Sequence, residues 1–419
     1  MKQLKQLIWL VFGASIYIVS YAADINKGQG GNTTINQRLS GEVAGDGGVS
    51  SFYRWEGKLP KAPGIMLQTE PVDTFENLPA AARVLRILYT SEDARWHTGV
   101  IPVSGQLILP GTEPPAEGWP VFAWGHGTAG VADVCAPSWT GLRERDAAYL
   151  NDWLKAGYAL VLSDYQGLGG PGPHPYLYWQ AEGRSVLDAA KAALAYMPEK
   201  LSNKLLLGGQ SQGAGAAMGA AVLAAEYAAT LNIRGMVVTG LNSVFPDGPI
   251  PVTPRNSNNM FLSLVAGGLQ DNAPAIDQLV SEKGSKLLTE ARRGCTESIK
   301  QVARDLRVRS MEEVINIAPE ELAAWQVPVS QPPARELAFP VLIQTGMADA
   351  TVTPYYQYAA ARALCSAGNN VAWLTYDGLD HDSVMQGSLP DAFEFARNVM
   401  SDNSIDNHCE KLSRSVLQP

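Results

Sequence analysis

With 419 residues and 46% hydrophobic content, the chain is long enough for one large αβ domain with insertions or for two ordinary domains, and it can fill a sizeable core. Its formal net charge is -9 and no basic run occurs, which argues against a nucleic-acid-binding surface. At the N-terminus, Lys2 and Lys5 precede an apolar run from Leu7 to Val19 and small residues at Ser20 and Ala22, the pattern of an export signal over 1–22. The run is short for a membrane span, polar Gly-rich sequence follows it, and no later segment is long and apolar enough to cross a bilayer. The mature protein is therefore expected to be secreted or periplasmic.

Residues 23–55, rich in Gly, Asn, Ser and Thr and without periodicity, read as a flexible leader. Two strand-like runs follow, Arg83 to Tyr89 and Thr98 to Leu109, and predict a hairpin. The short apolar strand WPVFAW, Trp119 to Trp124, runs into GHGTAG at Gly125 to Gly130. A helix is predicted over Glu144 to Ala156, then a strand over Tyr158 to Leu162 that ends in the Gly/Pro-rich loop SDYQGLGGPGPHPYL. An amphipathic helix follows over Gly183 to Met197, with Val186, Leu187, Ala190, Leu194 and Met197 on one face.

Next comes LLLGGQSQGAGAAMG, Leu205 to Gly219, in which a leucine run enters a G-x-S-x-G core and a small-residue helix leaves it. This is the form of a nucleophile elbow, where a sharp strand-to-helix turn lifts a serine above the sheet. Ser211 is the candidate nucleophile. The N–H of Gln212, one residue on, and that of Thr128, after the His-Gly pair, are the candidate oxyanion donors. His126 could be read as a base, but a His-Gly pair in that position usually serves the loop conformation.

A buried strand is predicted over Ile233 to Leu241. No strand signal appears over 245–336, where helical segments are predicted at Met260 to Leu269, Pro274 to Leu288 and Ser310 to Ile317. Lying between two sheet strands, this stretch reads as a helical cap, with Met260, Phe261 and Leu264 as candidate substrate-binding residues. The sheet resumes at Phe339 to Gln344, followed by Asp349, a helix from Pro354 to Ala367, a strand from Val371 to Tyr376, and His381. An acid just past one strand and a histidine past the last give the order Ser, acid, His. Asp164 and His174 precede Ser211 and so fit structural roles better, whereas Asp377, Asp380 and Asp382 rival Asp349 through their nearness to His381 in sequence.

Four cysteines, Cys135, Cys295, Cys365 and Cys409, suit an oxidising compartment. Three pairings are open; sequential pairing is favoured because Cys365 with Cys409 would tie the C-terminal tail to a late helix. With no C-x-x-C and no nearby His pair, no metal site is expected, and the proposed chemistry requires no cofactor.

The motifs GHGTAG with Cys135-Ala136-Pro137-Ser138, SDYQGLG with His174-Pro175-Tyr176, GGQSQGA around Ser211, and the late Asp349 and His381 together resemble the secretory lipases, the lipase-A-like branch of the α/β-hydrolase superfamily. The resemblance covers most of the chain from Pro63 onward. It implies an α/β-hydrolase domain over 56–419 with a mostly parallel sheet of about eight strands, a helical cap inserted at about 245–336, and two disulfides. It also implies hydrolysis of carboxylic esters, often with long acyl chains, so the expected partners are small-molecule or lipid esters, with transient contact at a lipid–water interface and no nucleic acid. A serine peptidase or polymer esterase on the same scaffold, and a non-catalytic secreted binding protein, are the competing readings.

Overall fold

The computed structural model describes residues 44–243, 276–318 and 330–412. Nine strands form one sheet: β1 (Met66–Pro71), β2 (Ala81–Glu92), β3 (Val100–Pro110), β4 (Trp119–Gly125), β5 (Ala159–Ser163), β6 (Leu201–Gln210), β7 (Ile233–Thr239), β8 (Val341–Gly346) and β9 (Val371–Tyr376). Their spatial order is β1-β2-β3-β5-β4-β6-β7-β8-β9. The first three strands and the β3–β5 pair are antiparallel, and every other neighbour pair is parallel.

About eight strands were expected, and the ninth is β1. Its sequence, MLQTEP, is only partly buried and carries too little apolar alternation to signal a strand. It pairs with β2 at the sheet edge, where one covered side suffices.

The parallel strands alternate strictly between two hydrophobic layers. Val121 and Ala123 of β4, Leu205 and Leu207 of β6, and Val341 and Ile343 of β8 face one layer. Phe122 and Trp124, Leu206, and Leu342 face the other. This period of two places a core on each side of the sheet. The first layer is covered by α2 (Trp179–Tyr196), α3 (Gln212–Tyr227) and α6 (Pro354–Ser366), and the second by α1 (Glu144–Lys155) and α8 (Leu389–Met400). Aromatic rings fill the second layer, with Phe122 stacked on Trp153 at 4.2 Å between centroids and Phe393 edge-on to Trp153 at 4.9 Å.

Between β7 and β8 lie α4 (Glu282–Ala291) and α5 (Thr296–Asp305). They enclose a small core of their own from Leu279, Leu287, Leu288, Ile299 and Val314, which rests on Val131 and Tyr176 of the main body. The sequence predicted this insert with different internal boundaries. The helix expected over Pro274 to Leu288 is broken at Val280, which bridges to Ile315, and Ser281 caps the new helix by accepting from the Gly284 N–H at 3.2 Å. That same bridge turns the helix expected over Ser310 to Ile317 into a single tight turn, Met311–Glu313. The helix expected over Met260 to Leu269 lies outside the described residues.

Two disulfides join Cys135 to Cys295 and Cys365 to Cys409. The first links the loop after β4 to the start of α5, and backbone pairing of Gly130 with Cys295 reinforces it. The last residues of the stretch read as a flexible leader are packed into the body. Tyr53 is fully buried and its hydroxyl bonds Ser138 Oγ at 2.8 Å, while the Gly47 N–H donates to Asp133 at 2.7 Å. α7 (Ser383–Gly387) follows the loop after β9.

Candidate active site

Ser211 occupies the single-residue turn between β6 and α3, with φ 58° and ψ -120°. A non-glycine residue in this region stores roughly 1–3 kcal/mol of backbone strain, which the surroundings must hold. Here the Ser211 N–H donates to the Thr239 carbonyl at 3.1 Å, and its own carbonyl accepts from Ala214 N–H at 2.9 Å. The turn is possible because three glycines let backbone meet backbone. A Cβ at Gly213 would overlap the Gly125 carbonyl, and one at Gly209 would overlap the Gly213 carbonyl. The G-x-S-x-G spacing is thus a packing requirement between β4, β6 and α3.

Beside the serine lies His381. A Cβ built on Gly240 would stand 2.9 Å from His381 Cε1 and 3.5 Å from the Ser211 amide nitrogen, so that one glycine separates the imidazole from the elbow. The Gly240 φ of 61° also suits glycine. His381 Nδ1 donates to Asp349 Oδ2 at 2.8 Å, which leaves the lone pair on Nε2. Asp349 is buried and fully engaged: Oδ1 accepts from the Thr351 and Val352 N–H groups at 2.8 and 2.9 Å, and Oδ2 also accepts from Gln357 Nε2 at 3.2 Å. Gln357 is in turn fixed by Thr345 Oγ1, and Thr345 by Trp373 Nε1.

On the other flank, Gln212 opens α3, so its backbone N–H has no partner within the helix. Its buried side chain lies between His174 and Glu182. His174 Nδ1 donates to the Gln166 carbonyl at 2.8 Å, so Nε2 accepts from Gln212 Nε2 at 3.0 Å, and the second amide hydrogen goes to Glu182 Oε1 at 2.7 Å. Burial pushes the His174 pKa down to about 4 and the Glu182 carboxyl up to about 8, so both are neutral at pH 7. Thr128 Oγ1 bonds Tyr176 OH at 2.7 Å, and the Thr128 carbonyl accepts from Arg143 at 3.3 Å.

The remaining candidates go elsewhere. His126 Nδ1 donates to the Gly127 carbonyl, and burial lowers its pKa. Asp164 accepts from Ser104 Oγ and from the N–H and hydroxyl of Ser138. Asp380 accepts from the N–H and hydroxyl of Ser383, and Asp382 pairs with Arg145. Met260, Phe261 and Leu264 lie outside the described residues. Among the described residues, no group of three or more His, Cys, Asp or Glu side chains could hold a metal ion. Sequence reasoning did not single out Gln357, Glu182, Gln210 or Arg145. Gln210 falls on a variable position of the G-x-S-x-G motif, and no motif marks the other three.

A family model described as secretory lipase matches residues 135–398. No curated protein sequence matches the chain. Among solved structures, Candida antarctica lipase A superimposes with a TM-score of 0.64 at 19% identity, covering 85% of this chain and 87% of that one. The rice cell wall degrading esterase LipA from Xanthomonas oryzae gives 0.61 at 18% identity, covering 82% of this chain and 100% of that one. With the family match covering residues 135–398, well over half of its length, the chain belongs to the secretory lipase family and is a carboxylic ester hydrolase of the α/β-hydrolase fold.

Proposed function

We propose that the protein is an exported serine hydrolase of acyl esters such as triacylglycerols, working through an acyl-enzyme. The observation that carries this reading is the His381–Asp349 hydrogen bond of 2.8 Å on a ring that shares Gly240 as a wall with Ser211. Ser211 Oγ attacks the ester carbonyl carbon while its proton passes to His381 Nε2. Asp349 holds the tautomer and stabilises the imidazolium. The N–H groups of Thr128 and Gln212 receive the oxyanion, each worth about 3 kcal/mol in hydrolases of this kind. Collapse of the tetrahedral species expels the alcohol, which takes the proton from His381. Water then attacks the acyl-enzyme with His381 as base, and the acid leaves.

The insert between β7 and β8 serves as the cap in this reading, because its own core rests on Val131 and Tyr176 beside the oxyanion loop. Residues 1–22 serve as the export signal, consistent with two disulfides. Hydrolysis of a p-nitrophenyl ester by Ser211→Ala is expected to fall by about 10⁴-fold or more, with loss of fluorophosphonate labelling. Turnover near that of the unaltered protein would remove Ser211 from the role.

A further inference from the structure

We infer that Arg145 and Gln210 are positioning residues, a guanidinium–amide clamp that holds the loop carrying His381 against the nucleophile elbow. Gln210 immediately precedes Ser211 and is fully buried. Its Nε2 donates to the backbone carbonyl of His381 at 3.1 Å, and its Oε1 accepts from Arg145 Nη2 at 2.8 Å. The same guanidinium reaches Asp382, the residue after His381, through Nη1, and Asp146 through Nε at 3.2 Å. One side chain from α1 therefore touches the residue before the serine and the residue after the histidine.

Asp146 extends the arrangement to the third part of the site. It accepts from Arg143 Nε at 2.9 Å, and Arg143 Nη1 donates to the Thr128 carbonyl at 3.3 Å. A Cβ at Gly127 would stand 2.5 Å from Gln210 Oε1, 2.9 Å from Arg143 Nη2 and 3.2 Å from Arg145 Nη2, so only a glycine lets the loop pass this close to the three side chains.

The inference rests on the reading of Ser211 and His381 as nucleophile and base. Asp349 fixes only the Nδ1 end of the ring. The distance from Nε2 to the serine also depends on where the loop backbone sits: the Ala348 N–H holds the Leu379 carbonyl at 2.9 Å upstream of His381, and Gln210 holds the carbonyl of His381 itself, five residues past the end of β9 at Tyr376. A planar guanidinium spreads its donors over a rigid fork that can reach partners on separate elements, whereas an ammonium's three donors sit on one freely rotating nitrogen. Burial lowers the Arg145 pKa to about 10, which leaves it charged at neutral pH.

The test is steady-state hydrolysis of a p-nitrophenyl ester by the full-length protein carrying Arg145→Ala, with and without low-millimolar guanidinium chloride, against sodium chloride at equal ionic strength. kcat is expected to fall about 10- to 100-fold with KM within about two-fold, as for displaced but intact catalytic groups. Guanidinium, but not sodium, is expected to restore part of kcat in a saturable way, a response that a general loss of stability would not give. A kcat within two-fold of the unaltered protein, or a loss that guanidinium leaves unchanged, overturns the inference. Should Arg145→Ala not fold, Asp382→Ala carries the test, since that side chain is 67% exposed. A several-fold lower kcat at unchanged KM and Tm supports the clamp, and an unchanged kcat overturns it. Activity surviving in Ser211→Ala would instead overturn the underlying reading.

Discussion

Glu182 illustrates how single residues at this site trade stability for position. Its carboxyl is almost wholly buried and accepts from Gln212 Nε2 and the Leu177 N–H, so it fixes the residue after the serine. Burial raises its pKa from 4.5 to about 8. Below pH 4.5 both folded and unfolded states hold the proton. Between 4.5 and 8 only the unfolded state releases it, so this residue's contribution to stability declines as pH rises through that window and levels off above it. Glu182→Gln keeps the acceptor and removes the titration. Its stability relative to the unaltered protein is expected to improve by on the order of 1–3 kcal/mol between pH 4.5 and pH 8.5, measured by urea denaturation at both values. A difference that does not change with pH would mean that Glu182 is ionised in the fold. His174, lowered from 6.5 to about 4, changes stability between those pH values, but it does so in both proteins and so cancels in the comparison. Motif and chain order single out Ser211, Asp349 and His381 as candidates, and the hydrogen bond between the last two is what the structure adds. Glu182 and Gln357 were not legible in the sequence, because the role of a glutamate or glutamine in a helix depends on what that helix faces.

At the level of elements, β4, β6 and α3 meet where no side chain fits. Gly213→Ala puts a methyl group into the Gly125 carbonyl, and neither strand end can retreat without breaking its ladder. This substitution is expected to abolish activity and to lower the yield of folded protein, seen as loss of a cooperative thermal transition; a fully active, stable variant would show that the elbow can relax. The parallel strands could be read from sequence because both faces are buried and their apolar runs are continuous, as in Ala159–Ser163. The insert was harder to read. In TESIKQVARD, Thr296–Asp305, only Ile299 is buried, so the helix carries little apolar signal, and its place is set instead by the disulfide and by bonds such as Thr296 N–H to the Ala129 carbonyl. The break at Val280 likewise depends on a partner strand segment 35 residues away.

At the scale of the whole molecule, two cystines reinforce a sheet already covered on both sides. Their sequence separations are 160 and 44 residues, for which the chain-entropy model gives about 5 and about 4 kcal/mol respectively. Cys365→Ser with Cys409→Ser is expected to lower the urea midpoint while leaving the fold intact, since the tail they secure is short; an unchanged midpoint would show that the unfolded chain gains no freedom from the loss. The two bridges also divide the polypeptide into closed rings. One ring encloses Ser211, the other encloses His381, and Asp349 lies on the segment between them. A protease that severs one peptide bond anywhere within either ring therefore releases no fragment, and the severed enzyme remains a single covalent body until a reductant opens the ring.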